Sequence, residues 1–101
     1  MMPTVALLAR LQAKPGKAAE VEALLKSALA LANEERLTPV WFAFRLGPET
    51  FGIFDAFAGE AGREAHLNGP IAAALMANAA ALLAEPPTIE KIDLLAAKLP
   101  G

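Results

Sequence analysis

Cysteine and tyrosine are absent from this chain of 101 residues, and histidine, serine and tryptophan each occur once. Without cysteine there is no disulfide framework, no thiolate metal site and no cysteine nucleophile. The composition fits a reducing compartment, so a cytoplasmic location is expected. Long apolar runs are missing too. The longest, residues 71–84, is interrupted only by Asn78 and has 14 residues, short of the roughly 20 that a spanning helix needs. The run Val5-Ala6-Leu7-Leu8-Ala9 has no basic lead and is too short for a signal peptide. Neither run predicts a membrane partner. Basic charge is also short: Lys+Arg 9 against Asp+Glu 11 gives a net charge of −2. A phosphate-backbone binder needs a basic face, so no nucleic-acid partner is expected.

What is present is apolar surface. Hydrophobic residues make up 55% of the chain, above the usual level of about 45–50%. Part of the excess is alanine, with 24 copies. The length suits one domain spanning residues 1–101.

Periodicity orders the chain into elements. Thr4 to Ala13 reads as a strand, followed by turn chemistry at Lys14-Pro15-Gly16-Lys17. From Ala18 the period becomes helical, with Val21, Leu24, Leu25, Ala28 and Leu31 or Ala32 on one stripe and an end near Asn33-Glu34-Glu35. Val40 to Leu46 and Phe51 to Phe57 are aromatic-rich strands joined by a hairpin at Gly47-Pro48-Glu49-Thr50. Gly59 to Leu67 predicts a short helix. A longer helix begins at Pro70, where the missing N–H costs nothing, and its apolar face is Ile71, Leu75, Met76, Ala79, Leu82 and Leu83. After Pro86-Pro87, Thr88 to Ala97 reads as the last strand. The order β-α-β-β-α-β is the ferredoxin-like α+β plan, a four-stranded antiparallel sheet with helices on one face.

Both faces of every strand carry apolar side chains. Helices on one side cover only one of them, and the uncovered face exceeds the patch a monomer usually tolerates. A homodimer through the sheet faces is therefore expected, with Arg10, Arg45 and Asp55 pairing inside it or at its rim.

Few residues suit chemistry. Ser27 is mid-helix without a base beside it. No glycine-rich phosphate cradle and no converging ligand set is visible, so neither a metal nor another cofactor is expected. Glu34-Glu35 and Glu20/Glu22 read as solvated helix faces. His66 is the one side chain that titrates near neutrality. It reads either as a half-exposed histidine at a helix end or as a general base at a cavity mouth. Trp41 and Met76 read first as packing, and Arg45 as an ion-pair partner. Phe51 to Phe57 faintly matches the aromatic octamer of RNA-recognition motifs. The first strand lacks a stacking aromatic and the charge is negative, which argues against that reading.

The hairpin Trp41-Phe42-Ala43-Phe44-Arg45 with Phe51-Gly52-Ile53-Phe54-Asp55-Ala56-Phe57, then Arg63-Glu64-Ala65-His66-Leu67-Asn68-Gly69-Pro70, resembles the antibiotic biosynthesis monooxygenase family. The resemblance runs from Val5 to about Leu95. Its most specific part is an acid (Asp55), an aromatic two residues on (Phe57), and a helix ending Ala65-His66-Leu67. It implies a dimeric α+β barrel of a family that oxygenates phenolic or quinol polycycles with O2, without metal or flavin, and so a small aromatic quinol or phenolic substrate here. It also implies His66 as the base, Asn68 or Arg45 steadying the substrate anion, and Trp41, Phe44, Phe57 and Met76 lining the pocket. Haem-degrading members carry an Asn and a His where this chain has Ala9 and Met76, which argues against haem. A dimeric small-ligand-binding or stress-associated protein without catalysis is the alternative on the same scaffold.

Overall fold

The structure is a computed structural model describing residues 2–100. The elements are β1 (Val5–Gln12), α1 (Ala18–Glu34), β2 (Val40–Gly47), β3 (Thr50–Phe57), α2 (Glu60–Leu67), α3 (Pro70–Leu82) and β4 (Thr88–Asp93). The strands form one antiparallel sheet in the order β2-β3-β1-β4. This is the ferredoxin-like α+β fold. Among the described residues no helix is long and apolar enough to cross a membrane.

Strand alternation assigns each side chain to a face. On the inner face, Ala9 and Leu11 of β1 and Phe51 and Ile53 of β3 pack against Val21, Leu25, Ala28 and Ala32 of α1 and Ile71, Leu75 and Leu82 of α3. The helical residues recur at intervals of three, four and seven, which is one stripe of each helix. β3 lies between β1 and β2 and is buried along most of its length. Its Asp55 sits on the inner face, paired across the ladder with Leu7 and Trp41. Asp55 therefore faces the helices rather than the outer surface, against the expectation that it joins an interface pair there.

The last strand ends at Asp93, not at Ala97. β4 pairs only with β1, and Val5↔Asp93 is the final rung because β1 begins at Val5. Leu94 donates one more backbone hydrogen bond, to Thr4 O at 3.0 Å, and Leu95 beyond it is 98% exposed. Met76 departs from the expected apolar face of α3: it is 62% exposed, while Ile71, Leu75 and Leu82 of that face are buried.

α2 approaches the rest of the structure closely. A Cβ on Gly62 would lie 2.9 Å from the Leu37 carbonyl oxygen and 3.3 Å from Phe57 Cβ. Only glycine lets the helix settle at this depth, and the same face carries Arg63 and His66 inward. Arg63, 6% exposed, donates to the carbonyls of Ala6 (3.2 Å) and Ile92 (3.3 Å) and pairs with Glu60 at 2.5 Å. It clamps α2 across β1 and β4, a role that no spacing in the sequence had marked.

Candidate active site

His66, 8% exposed, is held between two carboxylates. Its Nε2 lies 2.7 Å from Asp55 Oδ2 and its Nδ1 lies 2.6 Å from Glu35 Oε1. Phe57 tilts against the imidazole, with ring centroids 5.4 Å apart. Three parts of the fold supply the group: α2 gives His66, β3 gives Asp55, and the residue capping the end of α1 gives Glu35.

Glu35 overturns its reading as part of a solvated helix face. The chain leaves the helix there, and the side chain turns inward to 14% exposure. Thr38 completes the local turn. Its N–H donates to Glu35 O at 3.2 Å and its hydroxyl donates to Glu35 Oε1 at 2.8 Å. Glu34, one residue earlier, stays exposed on the helix. A shift of one residue at a helix end turns a side chain by about 100°, and only the tertiary setting tells the two glutamates apart.

A cavity of about 250 Å³ adjoins the group. Its lining is mostly aliphatic, drawn from Ala9, Ile53, Ile71, Leu75, Met76 and Ile89, with Asp55 and His66 as its titratable side chains. Asp55 is 1% exposed, and its Oδ1 has no hydrogen-bond partner among the described residues. An unpaired buried carboxylate oxygen is costly, and here it belongs to a residue of the cavity wall. The site therefore suits a ligand with an apolar body and one hydroxyl or N–H donor.

The charge state of His66 follows from its surroundings. Burial is the largest single influence and pulls its pKa down. Hydrogen bonds to Asp55 and Glu35, with the attraction of both carboxylates, outweigh burial and raise the pKa above its ordinary value. Two carboxylate acceptors on the two ring nitrogens call for two N–H donors, which is the imidazolium form.

The substrate residues named from the sequence separate into different places. Met76 lines the cavity beside His66, and Phe57 packs behind the imidazole. Trp41, Phe44 and Arg45 border a second, open groove of about 450 Å³ between α1 and the edge strand β2. There Arg45 pairs with Glu22 and stacks over Phe51 at 4.8 Å, so it is not a free anion clamp. Phe44 lies over Gly52 on the outer face of the sheet. Asn68 is exposed at the end of α2 and donates to Glu64 O at 2.9 Å. Neither Asn68 nor Arg45 lines the cavity. Asp55 and Glu35 were absent from the site read from sequence. Asp55 carried a signal, as a lone acid on the otherwise apolar inner face of its strand, whereas Glu35 carried none.

Comparison with known proteins places the fold. No protein-family model matches the chain, and no curated protein matches it in sequence. The crystal structure of the NE2512 protein of unknown function from Nitrosomonas europaea is 65% identical, covers 99% of this chain and 97% of its own, and superposes with a TM-score of 0.97. An antibiotic biosynthesis monooxygenase of 17% identity covers 91% of this chain and 99% of its own, with a TM-score of 0.77. The Rv0793 protein of Mycobacterium tuberculosis, 18% identical, covers 92% and 96% with a TM-score of 0.81.

Proposed function

We propose, for a chain that belongs to the family of the Nitrosomonas NE2512 protein and is built on the antibiotic biosynthesis monooxygenase fold, that it oxygenates a small phenolic or quinol molecule with O2 in the cytoplasm. The observation that carries this reading is the unpartnered Asp55 Oδ1 beside an otherwise apolar cavity. A ring hydroxyl satisfies that oxygen, and the aliphatic walls take the ring. The volume of about 250 Å³ falls just below the roughly 300–1,000 Å³ of drug-sized ligand sites. A one-ring substrate suits it.

The chemistry needs no metal or flavin, because the substrate anion is itself the reductant. Loss of the hydroxyl proton leaves an electron-rich ring oxyanion. One electron passes to O2, and the two radicals combine at an unsubstituted ring carbon to form a C–O bond. That carbon then loses its hydrogen as a proton while the O–O bond breaks. A ring carbonyl forms and the second oxygen leaves as water. The substrate supplies all four electrons, and the products are a quinone and one water. The protein's part is to bind, orient and desolvate the ring, and to move the first proton.

The test is O2 uptake by metal-free protein with a panel of hydroquinones, naphthols and hydroxyanthrones. The expected result is uptake above the blank for one-ring members, lost when Ala72→Phe fills the cavity. Uptake equal to the blank across the panel would overturn the enzyme reading. Saturable binding without uptake would point instead to a ligand-binding protein on the same scaffold.

A homodimer through the outer sheet face belongs to the same proposal. Val40, Phe44 and Phe54 are half-buried on that face, and Phe42 is 59% and Leu46 53% exposed. A second copy laid face to face would shelter this patch. Phe42→Asp is expected to convert the dimer to a monomer in sedimentation. A wild-type particle of 10.5 kDa at micromolar concentration would exclude the dimer.

A further inference from the structure

We infer that Asp55 is the group that takes the substrate's proton, and that Glu35 is a positioning residue that keeps His66 as a fixed cation beside the forming oxyanion. This assignment rests on the cavity reading above and divides roles within it. It replaces the simpler idea of His66 as the base.

The geometry leaves His66 no free nitrogen. Nδ1 is engaged by Glu35 and Nε2 by Asp55. A base needs an open lone pair within reach of the proton it removes. Asp55 Oδ1 has one that no described residue uses, on a residue of the cavity wall; Glu35 Oε2 is equally unpartnered, but Glu35 does not line the cavity. Once Asp55 is protonated, its claim on the imidazolium weakens. The cation is then free to face the substrate oxyanion in a site where water does not screen it. Glu35 accepts from Nδ1 behind the ring and so retains the second proton there, with the Thr38 hydroxyl holding Glu35 in place. The charge of the group is conserved through the step: Asp55 loses one negative charge as the substrate gains one.

Among the described residues no other charged group pairs with the ring. On α2, Arg63 turns to the Ala6 and Ile92 carbonyls and to Glu60. Glu64 faces Lys91 of β4 at 3.5 Å on the surface. α3 carries no ionisable side chain, and Arg10, the only one on β1, is exposed on the outer face.

The experiment is direct because the chain has a single histidine. Nitrogen-15 NMR of the imidazole, followed against pH, is expected to show both ring nitrogens protonated at neutral pH in the wild-type protein. In Glu35→Gln the proton should leave at lower pH. In Asp55→Asn uptake of O2 should be lost at every pH. In Glu35→Gln uptake should persist at acidic pH and fall as pH rises, in step with the loss of the imidazolium signal and with KM little changed. A neutral imidazole in the wild type at pH 7 overturns the assignment. So does a Glu35→Gln variant whose histidine titrates like the wild type. The wild-type spectrum needs neither a variant nor turnover. A protein that fails to oxygenate the panel but holds its imidazolium refutes the monooxygenase reading and leaves the charge assignment standing.

Discussion

The cavity beneath α2 and α3 and the groove between α1 and β2 have similar raw materials. Each has apolar walls, two kinds of charge and an aromatic neighbour. In the groove, Lys26 and Arg45 both pair with Glu22 at the surface, where water screens them. In the cavity group, Asp55, His66 and Glu35 are screened far less, and one oxygen of each carboxylate, Asp55 Oδ1 and Glu35 Oε2, is left without a partner among the described residues. The same residue types are therefore ordinary in one place and chemically poised in the other. Desolvation makes the difference, because it strengthens each pairing and makes each missing partner costly.

The largest expected effect breaks the cavity. Asp55→Asn should lower O2-dependent turnover of a bound quinol by about 10²–10⁴-fold, the usual worth of a positioned base, while circular dichroism stays unchanged. Residual activity within a factor of two of wild type would equate the cavity with the groove. Next comes the depth of α2. Gly62→Ala pushes a methyl against the Leu37 carbonyl and should cost about 1–3 kcal/mol in urea unfolding. A neutral outcome would mean that α2 is free to shift.

The pH dependence of stability sharpens the contrast. His66 has a folded-state pKa raised above its ordinary value of 6.5. Its stabilising contribution is fully present below that ordinary value and disappears as pH rises through the raised one. Wild-type unfolding free energy should decline across that window, and His66→Gln should remove the decline. The smallest effect belongs to the groove. Arg45→Ala removes an exposed pair with Glu22 and should cost no more than about 0.2–1 kcal/mol, with turnover unaltered. A large loss of turnover there would move the site to the groove.

Most of the fold was legible along the chain because its punctuation is strong. Pro70 opens α3 and Pro86-Pro87 closes the segment behind it, and the change from alternating to helical period marks α1. β4 was overextended because Leu94 to Ala97 is as apolar as a strand, yet β1 has no residue left to pair with it. His66 was legible by scarcity. Arg63 and Glu35 were not, since a charged residue on a helix or at its end is usually solvated, and their burial depends on elements far away in sequence.

The order of elements, the two-faced apolar sheet and the single imidazole are written along the chain. These follow from side-chain periodicity and composition, which are local. Tertiary structure alone decided which face the helices cover, that Asp55 looks inward, and that Glu35 rather than Glu34 reaches His66. Those outcomes depend on three segments meeting in space, and a buried charge is tolerated only where its partner arrives from another segment.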